Sequence, residues 1–264
     1  VHNSQPMRQA IAIANAIWEL AEGRFENPRT QHQFPRDIES LAICSLEIPV
    51  VRLPVLTLQK AANYLCILRS QNTSNEAEID ARSLYGLLHV GPPANVIFLQ
   101  EDLSPLVANY ILAHELGHFM GDVFSVRRLW LVAMPEQKAA IQRMFSWKDF
   151  DGGLELSAVI KGLPMRPETI TGRGERLTQG TTDREILADL TARELLAPWN
   201  IVAPSFQTNQ GEMITSLRDK FGLPGRVAIG YYDDLQHCLM PNPNLVDRLF
   251  APLLRSSPEN PQKN

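Results

Sequence analysis

Apolar residues recur at helical spacing from Met7 to Gly23, through Ile11, Ala14, Trp18 and Ala21, and Gly23 is placed to end that helix. A polar stretch follows to Gln33, and PRDIESLAI then reads as a helix begun at Pro35. EIPVVRLPVL reads as a short strand near a sheet edge, because proline cannot donate to a ladder. Residues 57–82 read as a helix around Leu58 to Leu68, a polar loop at SQNTSNEAE and a second approach to the sheet. ANVIFLQ, delimited by Gly91, Pro92 and Pro93, has the β-rich composition of a strand. Ser104 as N-cap and Pro105 as first helical residue then open a helix through LVANYILAHELGHFM, ending at Gly121.

Residues 122–182 are long for a connection. They hold two helix-like pieces, MPEQKAAIQRMFSWKDF and LELSAVIKGL, and a Pro/Gly/Thr-rich stretch, PMRPETITGRGERLTQGTT, that reads as a loop. Another helix starts at Asp183 and ends before Pro198, and helical segments follow at 210–221, 225–238 and 244–254. The tail RSSPENPQKN reads as disordered.

Charge and composition narrow the function classes. The 264 residues carry 25 basic and 29 acidic side chains, a net charge of −4, which argues against direct binding of nucleic acid by phosphate neutralisation. No apolar run approaches the roughly 18 residues needed to span a bilayer, and the first twenty residues lack a signal-peptide block. Cys44, Cys66 and Cys238 show no CxxC spacing, so they read as buried free thiols in a reducing cytoplasm.

The chemistry is concentrated in His114-Glu115-Leu116-Gly117-His118, an HExxH on a predicted helix. Histidines four apart share a helical face, their Cβ atoms roughly 5 to 6 Å apart, so both imidazoles can hold one zinc ion. Glu115 can then stand beside a water that the zinc activates and act as general base in amide hydrolysis. A third protein ligand is needed. His2, His32, His89 and His237 are poorly placed for it, and Phe124 stands where a metzincin would have its third histidine. TTDREILADLTARELLAP offers a carboxylate instead, in the gluzincin pattern. Glu185 and Asp189 are four apart, so Glu185 can bind the metal while Asp189 accepts the second N–H of a ligand histidine. Thr182 with Glu185 also spells a capping box, which leaves a cap as the alternative role of Glu185.

These residues predict an α+β fold: a small β-sheet packed on the HExxH helix and a second ligand helix, with mostly helical additions at both ends. The expected organisation is an N-terminal helical segment at 1–34, a core at 35–200 with an insertion at 122–182, a C-terminal helical region at 201–255, and a tail at 256–264. As oxyanion donors, Tyr110, Tyr231, Tyr232 and His237 are available, and each reads first as a packing residue. ANVIFLQ is the expected edge strand and groove wall for an extended peptide. ITSLRDKFGLPGRVAIGYYDDL has the outline of a helix-turn-helix. Its second helix carries only Arg226 as a cation, then Asp233 and Asp234, which favours packing over DNA reading.

The chain resembles the ImmA/IrrE metallopeptidases, bacterial and phage zinc enzymes. The matching residues are AHELGH at Ala113 to His118 and Glu185, Ala188, Asp189, Ala192, Leu195, Leu196 and Pro198. Weaker similarity extends to PRDIESLAI, VIFLQ and the helix-turn-helix-like segment. The resemblance implies one zinc per chain held by His114, His118 and Glu185, with Glu115 as general base. It also implies a protein substrate, a helix-turn-helix repressor of the XRE type cut at a limited number of sites in a stress-response or mobile-element setting. The rival readings are a regulatory protein that holds its partner without cutting it, and a zinc hydrolase of non-protein amides. The expected location is the cytoplasm, with no membrane partner.

Overall fold

A computed structural model of the protein describes residues 5–22, 33–68, 83–91, 94–124, 179–206 and 209–239. The SQNTSNEAE loop, the helix-like pieces of the insertion, the segment at 244–254 and the tail lie outside the described residues. Among those described, no helix is long and apolar enough to cross a membrane. The fold is α+β, mostly helical around a mixed sheet of three strands.

The strands are β1 (Val50–Leu53), β2 (Gly86–His89) and β3 (Val96–Gln100), in the order β1-β3-β2. β3 runs parallel to β1 and antiparallel to β2, with Val51 opposite Phe98 and Leu88 opposite Ile97. The predicted strand ANVIFLQ is therefore present, but it is the central strand and not an edge. A run buried on both faces has no polar alternation from which to tell centre from edge. The second approach to the sheet comes at Gly86–His89, beyond the predicted 57–82.

Alternation along the strands divides the core. Leu87, Val96 and Phe98 face helix α3 (Leu58–Leu68), joining Ala61 and Leu65. Leu88, Ile97 and Leu99 point the other way, into the cluster that holds Ile111, Leu112, Ala113 and Leu116 of helix α4 (Pro105–His118). Ser104 and Pro105 open α4 as predicted, although the Ser104 side chain makes no capping hydrogen bond. The end differs: α4 passes into a π-helical turn, Phe119–Phe124, so Gly121 lies inside helical structure and terminates nothing.

Helix α1 (Gln5–Glu22) buries Met7, Ala10, Ala14, Ile17, Trp18 and Ala21, the spacing of one helical face, in the same cluster as α4 and helix α5 (Gln179–Leu196). The helix predicted from Pro35 starts instead at Ile38, as α2 (Ile38–Ser40), because Asp37 supplies the cap by accepting from Ser40 N–H. It continues as a π turn, Leu41–Ser45, that leaves Cys44 exposed, while Cys66 is half-buried. The expectation of buried thiols therefore fails for Cys44.

After α5 come a short helix unseen in the sequence pattern, α6 (Trp199–Val202), then α7 (Gln210–Asp219) and α8 (Gly225–Leu239). Gly222 makes the left-handed turn after α7 at φ +78°, and Leu223 N–H donates to Leu217 O at 3.1 Å. Met213, Leu217, Phe221, Leu223, Ala228, Tyr231 and Leu235 of this helix pair join the main core. Packing is thus the observed role of the segment with a helix-turn-helix outline.

Candidate metal centre

Helices α4 and α5 meet along small residues. A Cβ at Gly117 would lie 3.0 Å from Cα and 3.1 Å from the carbonyl oxygen of Ala188, so glycine at 117 lets the two backbones approach. The helices run in opposite senses: Tyr110 meets Asp189, His114 meets Asp189 and Glu185, and His118 meets Glu185. Positions 110, 114 and 118 face 189 and 185 because residues four apart share a helical face.

The Nε2 atoms of His114 and His118 are 3.0 Å apart. Glu185 Oε2 is 3.4 Å from His114 Nε2, and its Oε1 is 3.5 Å from His118 Nε2. Donors about 2.0 to 2.1 Å from a tetrahedral ion stand about 3.3 Å from one another, so these separations suit a single divalent ion. Among the described residues this group alone brings together three side chains able to hold a metal.

Asp189 defines the donor atoms. His114 Nδ1–H donates to Asp189 Oδ1 at 2.8 Å, which leaves the lone pair on Nε2, the atom facing His118 and Glu185. Burial pulls the His114 pKa down, but its bonds to Asp189 and Glu185 and the charge of Glu115 raise it to about 9. Glu185 is held at about 2: burial pushes it up, and the two imidazoles outweigh that. Asp189 is likewise lowered: burial pushes it up, and its bonds to His114 and Tyr110 together with the charges of His114 and Arg193 outweigh that. A cation entering the site competes with the imidazole proton.

Glu115 is fully buried, and neither of its oxygens makes a hydrogen bond of standard geometry among the described residues. Burial raises its carboxyl to about 7; the His114 and His118 charges and the nearby Leu88 N–H act in the opposite direction. An unpartnered buried carboxylate is costly, and such groups concentrate where chemistry uses them.

Each predicted site residue can now be placed. His114, His118 and Glu185 converge, Asp189 orients His114, and Glu115 lies beside them. The capping-box alternative for Glu185 is overturned: α5 begins at Gln179, which puts Glu185 in the second turn, beyond the N3 position that a box requires. Of the candidate oxyanion donors, Tyr231, Tyr232 and His237 are engaged away from this group. Tyr231 O–H donates to Ala197 O, Tyr232 stacks on Phe206, and His237 Nδ1 pairs with Asp233 O on the exposed face of α8. Tyr110 O–H donates to Asp189 Oδ1 at 3.0 Å, a role its sequence position alone did not reveal. Its signal was the fourfold spacing to His114, which matches that between Glu185 and Asp189.

Gly86 was also missed. A Cβ there would lie 2.3 Å from Ile111 Cγ2 and 2.9 Å from Glu115 Oε1, so β2 passes against the Glu115 carboxylate itself. Comparison with known protein families, with curated proteins and with solved structures finds no match to this chain.

Proposed function

We propose that the chain is a zinc-dependent endopeptidase that performs limited proteolysis of a protein partner; by its resemblance to the ImmA/IrrE enzymes, that partner is a helix-turn-helix repressor of the XRE type. The observation that carries this reading is the buried Glu115 carboxylate, without a hydrogen bond of standard geometry, beside the convergent donors of His114, His118 and Glu185. The donor set of two imidazoles and one carboxylate is that of a catalytic zinc site, which keeps a fourth position for water or substrate. Zinc bound there supplies Lewis acidity. Glu115, raised to about 7 by burial, is matched to taking and returning a proton near neutral pH. Asp189 keeps His114 in the tautomer that presents Nε2.

The groove wall proposed for β3 passes to β2. Gln100 N–H donates to Tyr85 O, and the alternation of an antiparallel ladder then turns the N–H and C=O groups of Gly86 and Leu88 away from β3. No other described strand pairs with that edge. An extended peptide added there would lie beside Glu115. The sheet packed on α4 thereby joins the peptide edge, the base and the metal ligands in one place.

Two variants test the reading. Elemental analysis should find one zinc per chain in the parent and a large loss in Glu185→Ala. Glu115→Gln should keep the zinc and lose cleavage of repressors encoded beside the gene. Equal zinc in parent and Glu185→Ala would sink the ligand assignment, and an unaltered regulatory effect from Glu115→Gln would favour a partner-holding role over proteolysis.

A further inference from the structure

The carboxylate that orients His114 is poorly protected. The Asp189 side chain is 46% exposed, against 3% for His114, so water can compete for its oxygens. Yet one of its oxygens, Oδ1, accepts two bonds, and both donors come from the same helix. These are His114 Nδ1–H at 2.8 Å and Tyr110 O–H at 3.0 Å. Tyr110 is one turn before His114, so the buried helix that carries the ligand also carries the group that holds the ligand's partner in place.

A third helix is connected to this arrangement. Arg193 lies one turn beyond Asp189 on α5, and its charge acts on both Asp189 and Tyr110. Its own position is set from α8, where Asp234 Oδ2 accepts from Arg193 Nη1 at 2.7 Å. The arrangement therefore links α8 to Arg193 by a salt bridge, Arg193 to Asp189 by charge alone, and Asp189 to the face of His114 opposite its metal-binding nitrogen by a hydrogen bond.

We propose that Tyr110 is a positioning residue of the metal centre, fixing the Asp189 carboxylate that aims His114 Nε2, with Arg193, anchored by Asp234, as its countercharge. The inference rests on the zinc reading given above. Outer partners of ligand histidines typically change metal affinity by about 10- to 100-fold when removed. A hydroxyl that only ties α4 to α5 would instead alter the stability of the metal-free chain and leave the ion's surroundings as they were.

The test is a chelator-buffered zinc titration of the full chain, with the visible absorption of the cobalt(II)-substituted protein as second readout. Tyr110→Phe removes one oxygen and keeps the ring. It should still take one zinc per chain at saturation, with a dissociation constant about tenfold higher and an altered cobalt spectrum. Asp234→Asn, remote from the ion, should shift the affinity in the same direction by less. A parent that binds zinc, with Tyr110→Phe at the parental affinity and spectrum, overturns the positioning role alone. Parental affinity in Asp234→Asn overturns the part given to Arg193. A parent that takes up no zinc overturns the metalloenzyme reading and this inference with it.

Discussion

Glu194 shows how a single side chain here depends on its surroundings. It is 6% exposed, and both of its oxygens accept from Trp199 N–H at 3.2 Å, while Arg36 lies close enough to attract it. Burial outweighs both partners and raises its carboxyl to about 7. The folded state thus holds the Glu194 proton more tightly than the unfolded chain does, where the carboxyl titrates near 4.5. Its contribution to stability is complete below that value and is lost as pH rises towards 7. Glu194→Gln, which cannot ionise, should gain on the parent between pH 5 and 8 in urea denaturation; a difference that stays flat with pH would contradict the assignment. His114, Glu115 and His118 were legible in the sequence because their chemistry depends on spacing within one helix. Tyr110 was not, because its partner is 79 positions away and only the helix pairing brings the two together.

Elements were read well where their limits are local. β1, α3, β3 and the start of α4 follow from proline, serine and apolar runs that lie within the elements themselves. Boundaries set by neighbours were read less well. The π turn after α4, the start of α5 four residues before Asp183 and the central place of β3 all depend on what packs alongside. The α4–α5 contact is the clearest such case. Adding a methyl at Gly117 places it 3.0 Å from the Ala188 backbone, and backbone cannot rotate aside as a flexible side chain can. Gly117→Ala should therefore push the helices apart and cost about 1 to 3 kcal/mol in denaturation. Because Glu185 and the histidines sit on opposite sides of that contact, zinc affinity should fall as well. A stability within about 0.5 kcal/mol of the parent would mean that the contact has room to spare.

At the scale of the whole molecule, the N-terminal helix is part of the main core. Trp18 of α1 and Phe34 stack on the Arg36 guanidinium, at 4.7 and 4.8 Å from the ring centroids. Arg36 in turn donates to Leu195 O at the end of α5. Amphipathic spacing showed that α1 has an apolar face, but not that α5 would cover it, since a hydrophobic stripe specifies burial without naming its partner. The expected segment at 1–34 accordingly contributes its helix to the cluster that includes α4 and α5.

The group that could hold a metal ion is drawn from both sides of residues 125–178, with His114 and His118 before them and Glu185 after. A single backbone cut within that stretch would divide the chain and leave every ligand helix whole. The two fragments would carry complementary halves of one centre, joined through the α1–α5 and α4–α5 faces, and should co-elute in gel filtration with zinc present. Fragments that part at once under those conditions would show the faces too weak to hold them. In the associated pair zinc would act as a cross-link between the halves, favouring their association by its own binding free energy as any ligand favours the state that binds it.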